Sequence, residues 1–184
     1  GPKINVEFTQ AWQNRAIYRH FDEMLHSQSL VFEWGPGFST AFFCRRAGHI
    51  FTVEHDKQWY DLLVKALAEK KIGNVTAFFE PPVGDEKVDP EDPWAYGSKD
   101  VPGKLRNYVY VIHQEPIEYD LIYIDGRARP SCMAAAMQHV SPGGAIALHD
   151  AHRKHYAFGR DLFAGWPALT IPDGQTCITI WRRP

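Results

Sequence analysis

Short apolar runs alternate with amphipathic stretches along this chain, and no other feature constrains its fold as much. Leu30-Val31-Phe32-Glu33-Trp34, His49–Glu54, Val75–Phe79, Tyr119–Ile124 and Ala145–His149 each read as a short buried strand. The stretches between them carry helical spacing. Trp12, Ile17, Phe21, Met24 and Leu25 predict a helix over about 9–27. A second helix is expected from Ser39 to Ala47, stopped by Gly48. Asp56 can cap a third, which places Trp59, Leu62, Leu63, Ala66 and Leu67 on one face before Gly73 ends it. A helix over about 130–140 separates the fourth and fifth strands, with Ser141-Pro142-Gly143-Gly144 as the turn between them. Leu105, Val109 and Ile112 have core spacing, with Tyr108 packed among them. Residues 168–181 read as a closing β-hairpin around Pro172-Asp173-Gly174-Gln175. Strands alternating with helices specify an α/β sheet with helices on both faces.

Length and charge narrow the functional classes. The 184 residues suit one domain, taken as 3–184 because Gly1-Pro2 reads as a cleavage scar. Lys+Arg 20 against Asp+Glu 22 argues against a nucleic-acid partner held by bulk charge. No apolar run reaches the roughly 20 residues that span a bilayer. Cys44, Cys132 and Cys177 are widely spaced with no CxxC, which suits a cytoplasmic protein and gives no thiolate metal site. Residues 81–103 break the pattern with five prolines, three glycines and six acids, and they carry Trp94 and Tyr96. They are either a disordered insertion or a lid over the site.

The turn after the first strand, Glu33-Trp34-Gly35-Pro36-Gly37-Phe38-Ser39-Thr40, joins a strand to a helix. Its glycines allow a sharp turn and close approach of a ligand. The helix start offers amide N–H groups to a carboxylate or phosphate. The second strand ends at Glu54, 19 residues after Gly35, where an acid can accept hydrogen bonds from both hydroxyls of a ribose. A dinucleotide fingerprint requires a third glycine at position 40, which is Thr40 here.

The pattern E-x-G-x-G-x-S resembles the first motif of the class I S-adenosylmethionine-dependent methyltransferases. The resemblance runs from about 28 to 182. It includes Glu33, Gly35, Gly37 and Ser39, Val53-Glu54, Asp125-Gly126, the Ser141–Ala145 run and the terminal hairpin. It implies a single-domain, Rossmann-like doubly wound sheet of seven strands in the order 3-2-1-4-5-7-6, the last antiparallel. It also implies S-adenosylmethionine as cofactor, with Gly35 and Gly37 against its methionine part and ribose. In that reading Ser39 takes its carboxylate, Glu54 its ribose, His55 flanks its adenine and Glu80 reaches the adenine amino group. Glu33 completes the motif and is expected among the cofactor-binding residues.

Asp125 and Asp150 end adjacent strands, an arrangement similar to the metal-dependent O-methyltransferases, which implies Mg²⁺ between them. The family's Asn after the second acid is Ala151 here. The plainer alternative is two acids bonded to loop backbone. In the run His149-Asp150-Ala151-His152-Arg153-Lys154-His155, His149 or His152 is the expected general base. Arg127 and Arg129 either form structural salt bridges or meet an acidic substrate group. The sequence therefore leads to a methyltransferase acting on a small-molecule substrate, with a hydroxyl oxygen as acceptor and a homodimer as its assembly. The competing expectation is a methyltransferase-like protein that binds cofactor or partner without catalysis.

Overall fold

A computed structural model describes residues 10–83 and 103–184. Seven strands form one sheet: β1 (Leu30–Trp34), β2 (His49–Glu54), β3 (Val75–Phe79), β4 (Tyr119–Ile124), β5 (Val140–His149), β6 (Ala168–Asp173) and β7 (Thr176–Arg182). Their order is β3-β2-β1-β4-β5-β7-β6. β1 to β5 pair in parallel, and β7 is antiparallel to both β5 and β6. Among the described residues six α-helices accompany the sheet: α1 (Arg15–Met24), α2 (Phe38–Cys44), α3 (Lys57–Glu69), α4 (Arg106–Tyr110), α5 (Arg129–Ala136) and α6 (Ala157–Leu162).

The central strands β1, β2 and β4 are largely buried on both faces, as a doubly covered sheet requires, whereas the edge strands β3 and β6 are half-buried and largely exposed, respectively. Phe32, Trp34, Ile122 and Ile124 pack on one side with Tyr108 and Val109 of α4 and Cys132 and Met133 of α5. Val31, Leu121 and Tyr123 point to the other side, against Ile17 and Phe21 of α1 and Phe42 and Phe43 of α2. Register brings the strand ends level. Trp34 lies opposite both Val53 and Ile124, and Ile124 lies opposite Leu148. Gly35, Glu54, Asp125 and His149 therefore share one rim.

Several elements depart from the sequence expectation. α1 begins at Arg15 because the Asn14 side chain caps it, accepting from Ala16 N. Trp12 is buried ahead of the helix, where its Nε1 donates to Tyr123 Oη (3.0 Å). α2 stops at Cys44, one turn early. Ser141–Gly144 is part of β5 rather than a turn. The pairing slips between Tyr119 and Leu121, and Gly143 at φ +76° takes up the slack. α6 was not expected. Its Gly159 packs so closely on α5 that a Cβ there would lie 2.5 Å from Met133 Sδ. The lid expected at 81–103, with Trp94 and Tyr96, lies outside the described residues except at its ends. There Val83 N donates to Lys104 O (2.8 Å), so the chain returns beside the point where it leaves. Among the described residues no helix is long and apolar enough to cross a membrane. The three cysteines are free.

Candidate active site

The GPG turn, the end of β2 and the end of β4 enclose a crevice of about 400 Å³. Gly35, Gly37, Ser39, Glu54, His55 and Asp125 line it, which gathers six of the residues singled out in the sequence. Gly35 has φ +90°, and a Cβ on it would stand 2.3 Å from Asp125 O, so only glycine lets the two strand ends meet. Glu54 is 7% exposed, and its Oε2 accepts from His55 N (3.0 Å). Glu80 sits beside it, donating its backbone N–H to Glu54 O (2.9 Å), but it is not among the residues lining the crevice.

Glu33 plays a different part from the one its motif implies. It is fully buried behind the turn and cannot reach a ligand. Ser39 Oγ, Thr40 Oγ1 and Thr52 Oγ1 all donate to its carboxylate. Burial pushes its pKa up to about 7 against the pull of those hydroxyls. Thr40 Oγ1 in turn accepts from Gly37 N (3.0 Å). Glu33 is thus a brace for the turn. Ser39 spends its hydroxyl on that brace, so the side chain expected to hold the cofactor carboxylate is already committed.

Two tryptophans complete the crevice. Trp59 Nε1 donates to Pro36 O (2.9 Å), tying α3 to the turn, although its spacing marked it as a core residue. Trp12 also lines the wall. A buried indole N–H needs a partner, and that need is the one sequence signal that could have pointed either residue toward the loops.

On the far side of β4 the expected metal site is replaced by an ion cluster. Arg129 Nη2 lies 3.2 Å from Asp125 Oδ1 and Nη1 3.5 Å from Asp150 Oδ2. Its Nε and Nη1 also donate to the carbonyls of Gly126 (2.9 Å) and His149 (2.6 Å). His149 Nδ1 stands 3.3 Å from Asp125 Oδ1 and 3.5 Å from Asp150 Oδ1, and Nε2 stands 3.4 Å from Asp173 Oδ2. Asp150, at φ +56°, also takes the Thr176 hydroxyl and the Arg153 guanidinium (3.2 Å).

Two expectations fail here. Asp125 and Asp150 do not present a cation cage, because a guanidinium and an imidazole already occupy the space between them. Among the described residues no group of three His, Cys, Asp or Glu could hold a metal ion. Nor is His149 a base at neutral pH. Burial would lower its pKa, but the adjoining carboxylates of Asp125 and Asp150 outweigh burial and hold it at about 10. The same contact, with Thr176 and Arg129, holds Asp150 well below the usual carboxylate range against the effect of burial.

The unfolded imidazole titrates near 6.5. The stability contributed by charged His149 is therefore complete below about pH 6.5 and is lost as pH rises toward about 10. Urea midpoints measured from pH 6 to 10 should fall, and the fall should flatten in His149→Gln. A variant that retains the wild-type slope would refute the charged state.

A second cavity of about 550 Å³ lies beyond the cluster, sharing Gln10 with the first. His149, Asp150, His152, Arg153 and the β6–β7 turn line it. His152 is exposed, with Nδ1 3.8 Å from Cys177 Sγ, and belongs to this cavity and not to the first crevice.

The chain matches no protein-family profile and no curated protein sequence. Solved structures do resemble it. An rRNA methylase from Streptococcus thermophilus superposes with TM-score 0.66 at 9% identity, over 95% of this chain and 99% of that one. A methyltransferase-like protein from Silicibacter pomeroyi gives TM-score 0.66 at 18% identity, over 97% and 91%. A Streptococcus mutans protein assigned as a methyltransferase, solved in complex with SAH, gives 0.62 at 12%, over 95% and 99%. At these identities the likeness is one of fold.

Proposed function

Because this chain has the fold of the class I S-adenosylmethionine-dependent methyltransferases, we propose that it binds S-adenosylmethionine in the first crevice and passes the methyl group to a small acceptor held in the second cavity. The observation that carries this reading is Glu54, a buried carboxylate in the crevice wall, level with the GPG turn across the sheet. A ribose there would donate hydrogen bonds from its hydroxyls to Glu54, with the adenine between His55 and Trp59. The bound cofactor supplies a methyl carbon already activated by sulfonium. The chain's task is then chiefly alignment. Trp12 and Trp59 exclude water from the crevice walls, and Glu33 fixes the turn. A hydroxyl acceptor needs a proton sink, and His152 is the histidine of the second cavity that is not enclosed by carboxylates. Asp125 stands at the junction, on the β4 end of the crevice. Among the described residues no Phe, Tyr or Trp lines the second cavity. A flipped nucleobase, which needs stacking surface, suits it less well than a small hydrophilic molecule.

The locked His149 also favours a second reading, in which the chain binds the cofactor without transferring the methyl. Calorimetry tests the cofactor binding that both readings share, and transfer of a labelled methyl group separates them. S-adenosylmethionine and S-adenosylhomocysteine should bind, and NAD should not. Glu54→Ala should weaken both by about 1–3 kcal/mol, the worth of charge-assisted hydrogen bonds. Unchanged affinity would remove Glu54 from the site. NAD binding alone would overturn the proposal.

A further inference from the structure

The amino-acid end of an adenosyl sulfonium compound carries a carboxylate and an ammonium, and the crevice must meet both. Ser39 is engaged with Glu33. Arg129 is engaged with two carboxylates and two carbonyls. His55 lies against Glu54, with Nδ1 3.4 Å from Oε2. Arg127 differs from all three. It lines the crevice, and its guanidinium has no ion pair or side-chain hydrogen bond among the described residues. Its backbone is nonetheless firmly placed. Its N–H donates to the buried Tyr108 hydroxyl (3.3 Å), its carbonyl accepts from Cys132 Sγ (3.4 Å), and Ala128 follows at φ +50°. Two residues before it, Asp125 remains 33% exposed in the same wall while its Oδ1 faces Arg129 and His149. One short turn thus contributes a carboxylate and a guanidinium to the same crevice, the charge complement of an α-amino acid.

We propose that Arg127 binds the carboxylate of the cofactor's amino-acid end, with Asp125 facing its ammonium, and that Arg127 thereby makes the crevice reject carboxyl-free adenosyl sulfur compounds. This rests on the adenosyl reading of the crevice and adds the specificity that decides the reaction class. A decarboxylated sulfonium is a donor of aminopropyl groups, and its fully carboxylated parent is a donor of methyl. A planar guanidinium pairs with a carboxylate through two parallel N–H bonds. A ligand lacking that carboxylate leaves the guanidinium desolvated and unmatched.

The test is calorimetry with two ligands that differ only in the carboxyl group: S-adenosylhomocysteine and its decarboxylated analogue, S-adenosyl-3-thiopropylamine. The wild-type protein should prefer the first by about 30-fold, the worth of one charge-assisted pair. Arg127→Gln should lose about 30-fold on S-adenosylhomocysteine and leave the amine unchanged. Arg127→Lys should recover part of the loss, and thermal melts should show both variants folded. Equal losses on the two ligands, or an undiminished affinity for S-adenosylhomocysteine, would overturn the assignment. If neither ligand binds the wild-type protein, the adenosyl reading itself falls, and this assignment falls with it.

Discussion

Gly35→Ala is expected to cost about 3–5 kcal/mol of folding stability, from backbone strain and overpacking acting together. The alanine would have to adopt φ +90°, and its Cβ would meet Asp125 O at 2.3 Å and Asp125 C at 2.7 Å. Neither obstacle can move away, because both are backbone. Asp125 N is itself bonded to Trp34 O (3.0 Å), and Gly35 N to Val53 O (3.3 Å). Relief would require β1 to part from β4 at the rim. For a domain of this size the melting temperature should fall by roughly 10 °C or more, and whatever binds the crevice should bind far more weakly. Urea unfolding of the variant measures the first effect. A midpoint equal to wild type would show that the turn has room, and the tight-approach argument would then be wrong.

The second large effect is Arg129→Ala. The guanidinium is buried with 11% of its side chain exposed, and it serves Asp125, Asp150 and the carbonyls of Gly126 and His149. Removing it strands two carboxylates and two carbonyls around a void. Breaking a buried pair from one side typically costs about 3–5 kcal/mol, and His149 can offset only part of that. Arg129→Lys should fall between wild type and alanine, since it keeps the charge and loses the planar fork. The pH dependence gives an independent check. Asp150 is held below its usual range in the folded protein, so its contribution is present above about pH 4 and is lost in acid. The gap between wild type and Arg129→Ala should therefore narrow as pH drops toward 3. A gap that stays constant would mean that the loss comes from packing and not from charge.

Most of the sheet was legible in the sequence. The limits of β1, β2, β3 and β4 match those read from their apolar runs, because strands of a parallel sheet are continuous in hydrophobicity and these end at glycine or acid. What escaped depended on contacts distant in sequence. Ser141–Gly144 has the composition of a turn, but pairing with Tyr119 on one side and Arg183 on the other keeps it in the sheet. Gly159 discourages a helix in isolation, yet α6 forms where that glycine fits against Met133. The crevice residues Gly35, Glu54 and Asp125 were found because strand ends in a parallel sheet share a rim. The charge states were not. Nothing in His149-Asp150 reveals that Asp173, 24 residues on, faces the same imidazole, or that Arg129 fills the space a metal would need.

One consequence concerns the order in which the molecule is made. The segment ahead of α1 is pinned to the last hairpin: Gln13 N donates to Asp173 Oδ1 (2.6 Å) and Asn14 Nδ2 to Pro172 O (2.8 Å), across 160 and 158 positions of chain. Gln10 and Gln13 from this segment wall the second cavity, and Asp173 closes its opposite side. During synthesis β1 to β5 leave the ribosome first, and that partial sheet has an open edge and lacks the hairpin wall of the second cavity. Contacts this distant form late and slowly. A nascent chain of this protein therefore completes the second cavity only when that hairpin docks, whereas every residue lining the first crevice, from Gln10 to Arg129, has been made before it.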